Sequence, residues 1–249
     1  MKRKLIFTLM TMICAFITQA QTADEIIAKY FENTGGLDKW KALQGFKMTA
    51  KVNQQGMEFP LEIVVMKDGR QMTKLTIQGK EIKQEVYDGI TLWGHNFMNM
   101  KAEKSDAEAT ENFKLDIGEF PDPFLDYKAR GLKVELLGKE KVEGTETFKI
   151  KLTKKPIKVD GKQTENVVFY YFDAENFVPL MSESEIKSGE QKGKIRQSKM
   201  SDYQEIDGLM MPFSLAQGIK DLGSQPLTIT KIELNPKVEA SAFTFPAGN

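Results

Sequence analysis

Residues 46–52 read FKMTAKV and residues 57–63 read MEFPLEI. Phe46, Met48, Ala50 and Val52 alternate with Lys47, Thr49 and Lys51, and Met57, Phe59, Leu61 and Ile63 alternate with Glu58, Pro60 and Glu62. Successive side chains of a strand leave opposite faces, so this period of two predicts two β-strands with one face buried. Pro60 has no amide hydrogen to give a ladder, which places it at an edge or a bulge.

The same pattern continues outward from this pair. Alternating or apolar runs occur at residues 72–77, 82–87, 91–96, 132–137, 147–152, 167–172, 180–186, 195–203, 213–219 and 227–234. Turn-forming pairs separate many of them, including Asp68-Gly69, Asp88-Gly89, Glu143-Gly144, Asp160-Gly161 and Asp207-Gly208. The reading is a long antiparallel meander, mainly β within an α+β class. One interruption falls between residues 100 and 131. There residues 101–112 read as a polar helix, residues 118–123 as a Pro-rich loop and residues 124–129 as a second short helix after Pro123. The strand pattern is the same on both sides, so no domain boundary is placed there.

Ahead of the strands, Thr22 and Glu25 form a capping-box pattern, and Ile26, Ile27, Tyr30 and Phe31 recur at helical spacing until Gly35-Gly36. Asp38 to Leu43 adds a further turn carrying Trp40. This amphipathic unit needs a surface to lie on.

Before it, Lys2, Arg3 and Lys4 precede the apolar residues 5–17, and Thr18-Gln19-Ala20 offers small residues at a cleavage point. That order of parts is expected of an export signal over residues 1–20, with a mature domain over residues 21–249 acting in the periplasm. The apolar run is shorter than the roughly 20 residues a spanning helix needs. Cys14 is followed by Ala15, Phe16 and Ile17, which continue the apolar run, so a lipoprotein signal is not favoured. Without that segment no cysteine remains, which excludes disulfides and thiol chemistry. Of 35 Lys and Arg against 35 Asp and Glu, three basic residues leave with the signal. The balance turns mildly acidic, without the basic stripe that nucleic-acid binding needs.

Catalytic equipment is scarce. His95 is the one histidine, so a zinc site built from several imidazoles is not available, and no cofactor is expected. Phosphate loops, nucleophile elbows and dinucleotide fingerprints are absent from the sequence. Carboxylates such as Asp122, Asp126, Glu183 and Glu185 could be paired on paper for glycoside chemistry, but that claim fits almost any chain. The protein is therefore read as a non-enzyme. What the sequence does hold is soft apolar surface: Met48, Met57, Met66, Met72, Met98, Met100, Met181 and Met200 join Phe59, Trp93, Phe97, Phe148 and Phe169 across many strands. Such side chains fill cores, and they also suit surfaces that accept variable apolar partners. One helical unit cannot cover the apolar face of so large a sheet, and a cavity or groove follows.

Several phrases also resemble a known family. Residues 125–128 (LDYK), Gly131, residues 133–136 (KVEL), residues 138–140 (GKE), Val142, Gly144 and residues 148–150 (FKI), together with residues 203–212 (YQEIDGLMMP), are similar to the outer-membrane lipoprotein-sorting-protein-like (LolA-like) chains of Bacteroidetes. Residues 23–27, Gly35-Gly36 through Trp40, and Tyr87-Asp88-Gly89 with Trp93 look like the same family. The resemblance implies an incomplete, strongly curved antiparallel β-barrel of about 10–12 strands whose concave side is covered by the N-terminal amphipathic helix and short helices. It implies a cavity for lipid or lipoprotein acyl chains, and partners among membrane-bound envelope proteins. The same scaffold also serves envelope sensors that bind a protein and carry no lipid. Strand alternation nominates Met48, Phe59, Leu61, Trp93, Phe148, Ile150, Phe169 and Tyr171 for the inner face. Phe120, Pro121, Pro123 and Phe124 are the candidate lid.

Overall fold

A computed structural model describes residues 21–54 and 56–246, so the expected signal over residues 1–20 lies outside the described residues. The chain opens with α1 (Ala23–Asn33) and α2 (Leu37–Ala42). It continues through β1 (Gly45–Gln54), β2 (Met57–Met66), β3 (Gln71–Ile77), β4 (Lys80–Tyr87), β5 (Leu92–His95), β6 (Ala102–Lys104) and α3 (Ala107–Ile117). Beyond the crossing segment come β7 (Lys133–Val142), β8 (Thr145–Thr153), β9 (Ile157–Val159), β10 (Lys162–Thr164), β11 (Val167–Asp173) and β12 (Pro179–Glu185). The last three are β13 (Ile195–Ile206), β14 (Leu209–Ile219) and β15 (Gly223–Leu234), followed by a 3-10 turn at Ala240–Phe243.

Thirteen strands form one curved antiparallel sheet in the order β6-β5-β4-β3-β2-β1-β15-β14-β13-β12-β11-β8-β7, and β9 and β10 form a separate hairpin. The first and last long strands meet in the middle, with Met48 opposite Ile232. The two free edges, β6 and β7, are successive in sequence, so residues 105–132 must cross the gap that leaves the barrel incomplete.

All twelve expected runs are strands. The sheet exceeds the expected count because β6 has three residues, too few to show a period, and β9 and β10 escape notice for the same reason. Two helix expectations need correction. Residues 102–104 pair as β6, and α3 starts later, where the Asp106 side chain accepts from Ala109 N at 2.7 Å. Residues 124–129 are a string of turns. Asp126 has φ 49°, which breaks a helix, and Phe124, Leu125 and Tyr127 all turn into the core.

The N-terminal unit is as expected. Glu25 N donates to Thr22 Oγ1 while Thr22 N donates to Glu25 Oε2, and Ile26, Ile27, Tyr30 and Phe31 are buried. Gly35 (φ 114°) ends α1 where a Cβ would meet Gly208 O at 2.1 Å, so that close approach admits no side chain. The main core joins α1 and α2 to the inner face of β1, β8, β11, β14 and β15. Its large side chains are each worth roughly 1.5–3 kcal/mol when fully buried. A second core of Val64, Met72, Val86, Trp93, Ala102 and Phe243 lies on the other face of β2 to β6, under the C-terminal segment.

Candidate functional site

Ladder register decides which side chains share the inner face. Phe46 stands opposite Val65, Met48 opposite Ile63 and Ala50 opposite Leu61. Ile63 stands opposite Thr73 and Val65 opposite Gln71, while Leu215 stands opposite Leu227. The helices and the crossing segment pack over part of this face and leave open the stretch where β1–β4 lie beside the far ends of β14 and β15. The result is a trough of about 530 Å³ with a floor of Val52, Leu61, Ile63, Val65, Leu215 and Leu227. Its polar lining is Gln71, Thr73, Gln84, Glu85, Gln217 and Gln225.

At one end the trough shares Val65 and Gln71 with a smaller cavity of about 200 Å³ beneath α3 and the loop that follows. Phe120 roofs it by stacking on Phe46, centroids 5.8 Å apart at 22°. At the other end Gln217, Gln225 and Pro226 continue into an open notch of about 680 Å³ lined by Met57, Phe59 and Leu222. The notch exists because β1 and β15 part company. Their ladder stops at Val52–Leu227, while β1 follows β2 to Gln54–Met57 and β15 follows β14 to Ile219–Gly223. Proline marks both places where a ladder ends. Pro226 lies just beyond the β1–β15 ladder, and Pro60 just beyond the β2–β3 ladder that ends at Leu61–Leu75.

The crossing segment is held by charge. Arg130 donates from Nη1 to Gly118 O and from Nη2 to Pro123 O, closing the two ends of the loop on one guanidinium. Lys154 pairs with Asp116 at 2.7 Å and Glu119 at 3.0 Å. Within the loop, Asp122 accepts from Tyr30 OH at 2.9 Å and from Phe124 N at 2.7 Å. Burial pushes its carboxyl up to about 6, against the lowering effect of those two donors.

The expected inner-face residues separate into three groups. Leu61 lines the trough and Phe59 lines the notch. Met48, Phe148 and Ile150 share the inner face but are buried in the main core. Trp93, Phe169 and Tyr171 lie elsewhere. Trp93 packs in the second core and donates from Nε1 to Phe243 O at 2.8 Å. Phe169 and Tyr171 stand opposite Lys151 and Lys149, whereas Tyr170 and Phe172 stand opposite Ile150 and Phe148. The inward phase of β11 is therefore Tyr170 and Phe172, one residue from the expected Phe169 and Tyr171, because an unbroken apolar run carries no period of its own. On that outer face Tyr171 OH donates to Glu183 Oε2 at 2.7 Å, with Gln197 and Lys220 also donating to Glu183.

The lid candidates divide in the same way. Phe120 and Pro121 line the roofed end. Pro123 contributes its carbonyl to Arg130, and Phe124 is 2 % exposed, edge-on to Tyr170 and Phe172, so it belongs to the fixed core. Val65, Leu215, Leu227 and the glutamines complete the trough beyond the residues expected from the sequence. Their alternation is visible in sequence, but the β1–β15 pairing that brings them together is not. Among the described residues no cluster of three His, Cys, Asp or Glu side chains could hold a metal, and no helix is long and apolar enough to cross a membrane.

No family model matches the chain, and no curated protein matches it. Solved structures do. A LolA superfamily protein from Nitrosomonas europaea aligns with TM-score 0.51 at 16% identity, covering 90% of this chain and 98% of that one. A DUF1329 family protein from Desulfovibrio piger aligns with TM-score 0.53 at 14% identity, covering 89% and 96%. A domain provisionally assigned as an outer membrane lipoprotein-sorting protein, from Vibrio parahaemolyticus, gives 0.51 at 12% identity over 88% and 94%. At these identities the likeness is one of fold. The chain shares its fold with these structures over 88–90% of its length.

Proposed function

We propose that the protein is a non-catalytic binder or carrier of an apolar chain, the acyl portion of a lipid or lipoprotein, acting in the periplasm in lipoprotein sorting. The observation that carries this reading is the trough, an apolar floor of six aliphatic side chains bordered mainly by glutamines and open at a notch. Its volume lies in the range of small-molecule sites. Aliphatic chains on the floor lose apolar surface at about 0.8 kcal/mol per methylene, and side-chain amides at the border suit the ester, amide or hydroxyl groups at the head of such a chain. The signal-like residues 1–20 and the shared architecture support the periplasmic and sorting parts of the reading.

Native mass spectrometry of protein purified from its own envelope fraction tests it. Acylated ligand should co-purify, and Leu61→Trp with Leu227→Trp, which fill the trough, should remove it. Reproducible absence of any acyl ligand from the unaltered protein would reject the carrier and leave a scaffold that binds a protein partner.

A further inference from the structure

Most apolar side chains exposed on this molecule are scattered, but three crowd one turn. Between β5 and β6, Phe97 is 60%, Met98 95% and Met100 40% exposed. The turn that carries them is built rather than loose. Asn96 N donates to Lys101 O and Met100 N to Asn96 O, both at 2.8 Å. Asn96 Oδ1 accepts from Met98 N at 2.9 Å, and Asn99 Oδ1 accepts from Lys101 N at 2.8 Å. The two asparagine amides in turn donate to the Glu103 carboxylate at 3.0–3.1 Å. Its base is rooted by Trp93, which is buried in the second core. Side chains and backbone therefore cooperate to hold three greasy groups out in water.

Antiparallel order puts Lys80, at the start of β4, at the same end of the sheet as this turn. Lys101 lies in the turn itself, while Lys104 stands opposite Trp93 at its base with its ammonium over the Phe245 ring; of the local acids, Glu81 shares Lys74 with Glu62, and Glu103, which accepts from both asparagines, keeps its negative charge. Antiparallel order also puts the β5–β6, β3–β4, β1–β2 and β14–β15 turns along one rim. Exposed Met57 and Leu222 sit on that rim, at the notch.

We infer that the β5–β6 turn is a membrane-surface anchor, inserting Phe97 and Met98 into the interface of an anionic bilayer while Lys80 and Lys101 meet its headgroups. A protein partner is disfavoured by size. A stable protein interface needs roughly 800 Å² from each side, which one three-residue tip ringed by polar groups does not supply, whereas an interfacial anchor needs side chains that reach only about 5–10 Å deep. The inference stands independently of what fills the trough.

Flotation of the purified protein with phosphatidylethanolamine–phosphatidylglycerol vesicles is the test. The unaltered protein should float, less so in high salt. Phe97→Ser with Met98→Ser should weaken partitioning about tenfold or more without moving the unfolding midpoint, and Lys80→Glu with Lys101→Glu should remove the salt dependence. In Phe97→Trp, vesicles should shift the added tryptophan's emission to the blue. Failure of the unaltered protein to float, or flotation of the Phe97/Met98 variant at the unaltered level, would overturn the inference. A protein that floats yet carries no acyl ligand would reject the carrier reading alone.

Discussion

The Tyr30 hydroxyl donates to Asp122 Oδ2 at 2.9 Å, so α1 is bonded directly to the segment that crosses the barrel's opening. Because burial raises the Asp122 carboxyl to about 6 from an ordinary 3.8, the folded state binds this proton more tightly than the unfolded state. Its contribution to stability is therefore full below about pH 4 and falls as pH rises toward 6, by on the order of 2–3 kcal/mol. Asp24, held low chiefly by its bond from Lys128, acts in the opposite sense. Comparing urea denaturation of the unaltered protein and Asp122→Asn between pH 4 and 7 isolates the effect. The difference in stability between them should change across that window and be flat above it.

Arg130 clasps Gly118 O and Pro123 O with separate nitrogens, a geometry that a single ammonium cannot reproduce. Arg130→Lys should leave the global fold intact and speed amide exchange at residues 118–120 by roughly tenfold or more, since bonds to a charged group are worth about 1.5–3 kcal/mol. Hydrogen-exchange mass spectrometry reads this directly. Unchanged exchange there would show that the loop is held by its apolar contacts alone.

Phe120 and Phe124 lie four residues apart with different duties. Phe124→Ala should cost about 3–5 kcal/mol in chemical denaturation, the price of an aromatic cavity. Phe120→Ala should cost about 1 kcal/mol or less, because that ring is only partly buried. Its effect should instead appear as faster release of a fluorescent fatty acid from the trough.

Phe243 closes the second core from the C-terminal side, its carbonyl receiving the Trp93 indole and its ring covered by Arg70. Phe243→Ala should destabilise by about 3–5 kcal/mol and shift tryptophan emission to the red as Trp93 meets water. An unchanged spectrum would mean that other residues of the segment shield the indole.

Much of the fold is written in local pattern. The capping box at Thr22 and Glu25, the glycines that stop α1 and the alternation of β1 and β2 are all short-range signals, and each forms as read. What local pattern lacks is phase and partner. In β11 six of seven residues are apolar or aromatic and unbroken, so nothing marks Tyr170 rather than Tyr171 as inward; only the register with Phe148 and Ile150 does. Trp93 alternates correctly along β5, but the C-terminal segment that makes its face a core is remote in sequence. The trough suffers most, because its floor takes Leu61 from one hairpin and Leu215 and Leu227 from another.

The pairing of β1 with β15 also bears on how the chain reaches this state. The Thr230 hydroxyl bonds to the Thr49 carbonyl across 181 residues, whereas most other ladders join neighbours in the chain. Two runs of local hairpins can form early, but the seam between them waits for the last strand, and long-range closure of this kind is entropically slow. We expect Ile229→Val, at the seam, to accelerate unfolding while leaving the refolding rate nearly unchanged in stopped-flow experiments. A chain shortened before β15 would lack the strand that unites its halves, so nothing upstream of that point can assemble the complete sheet.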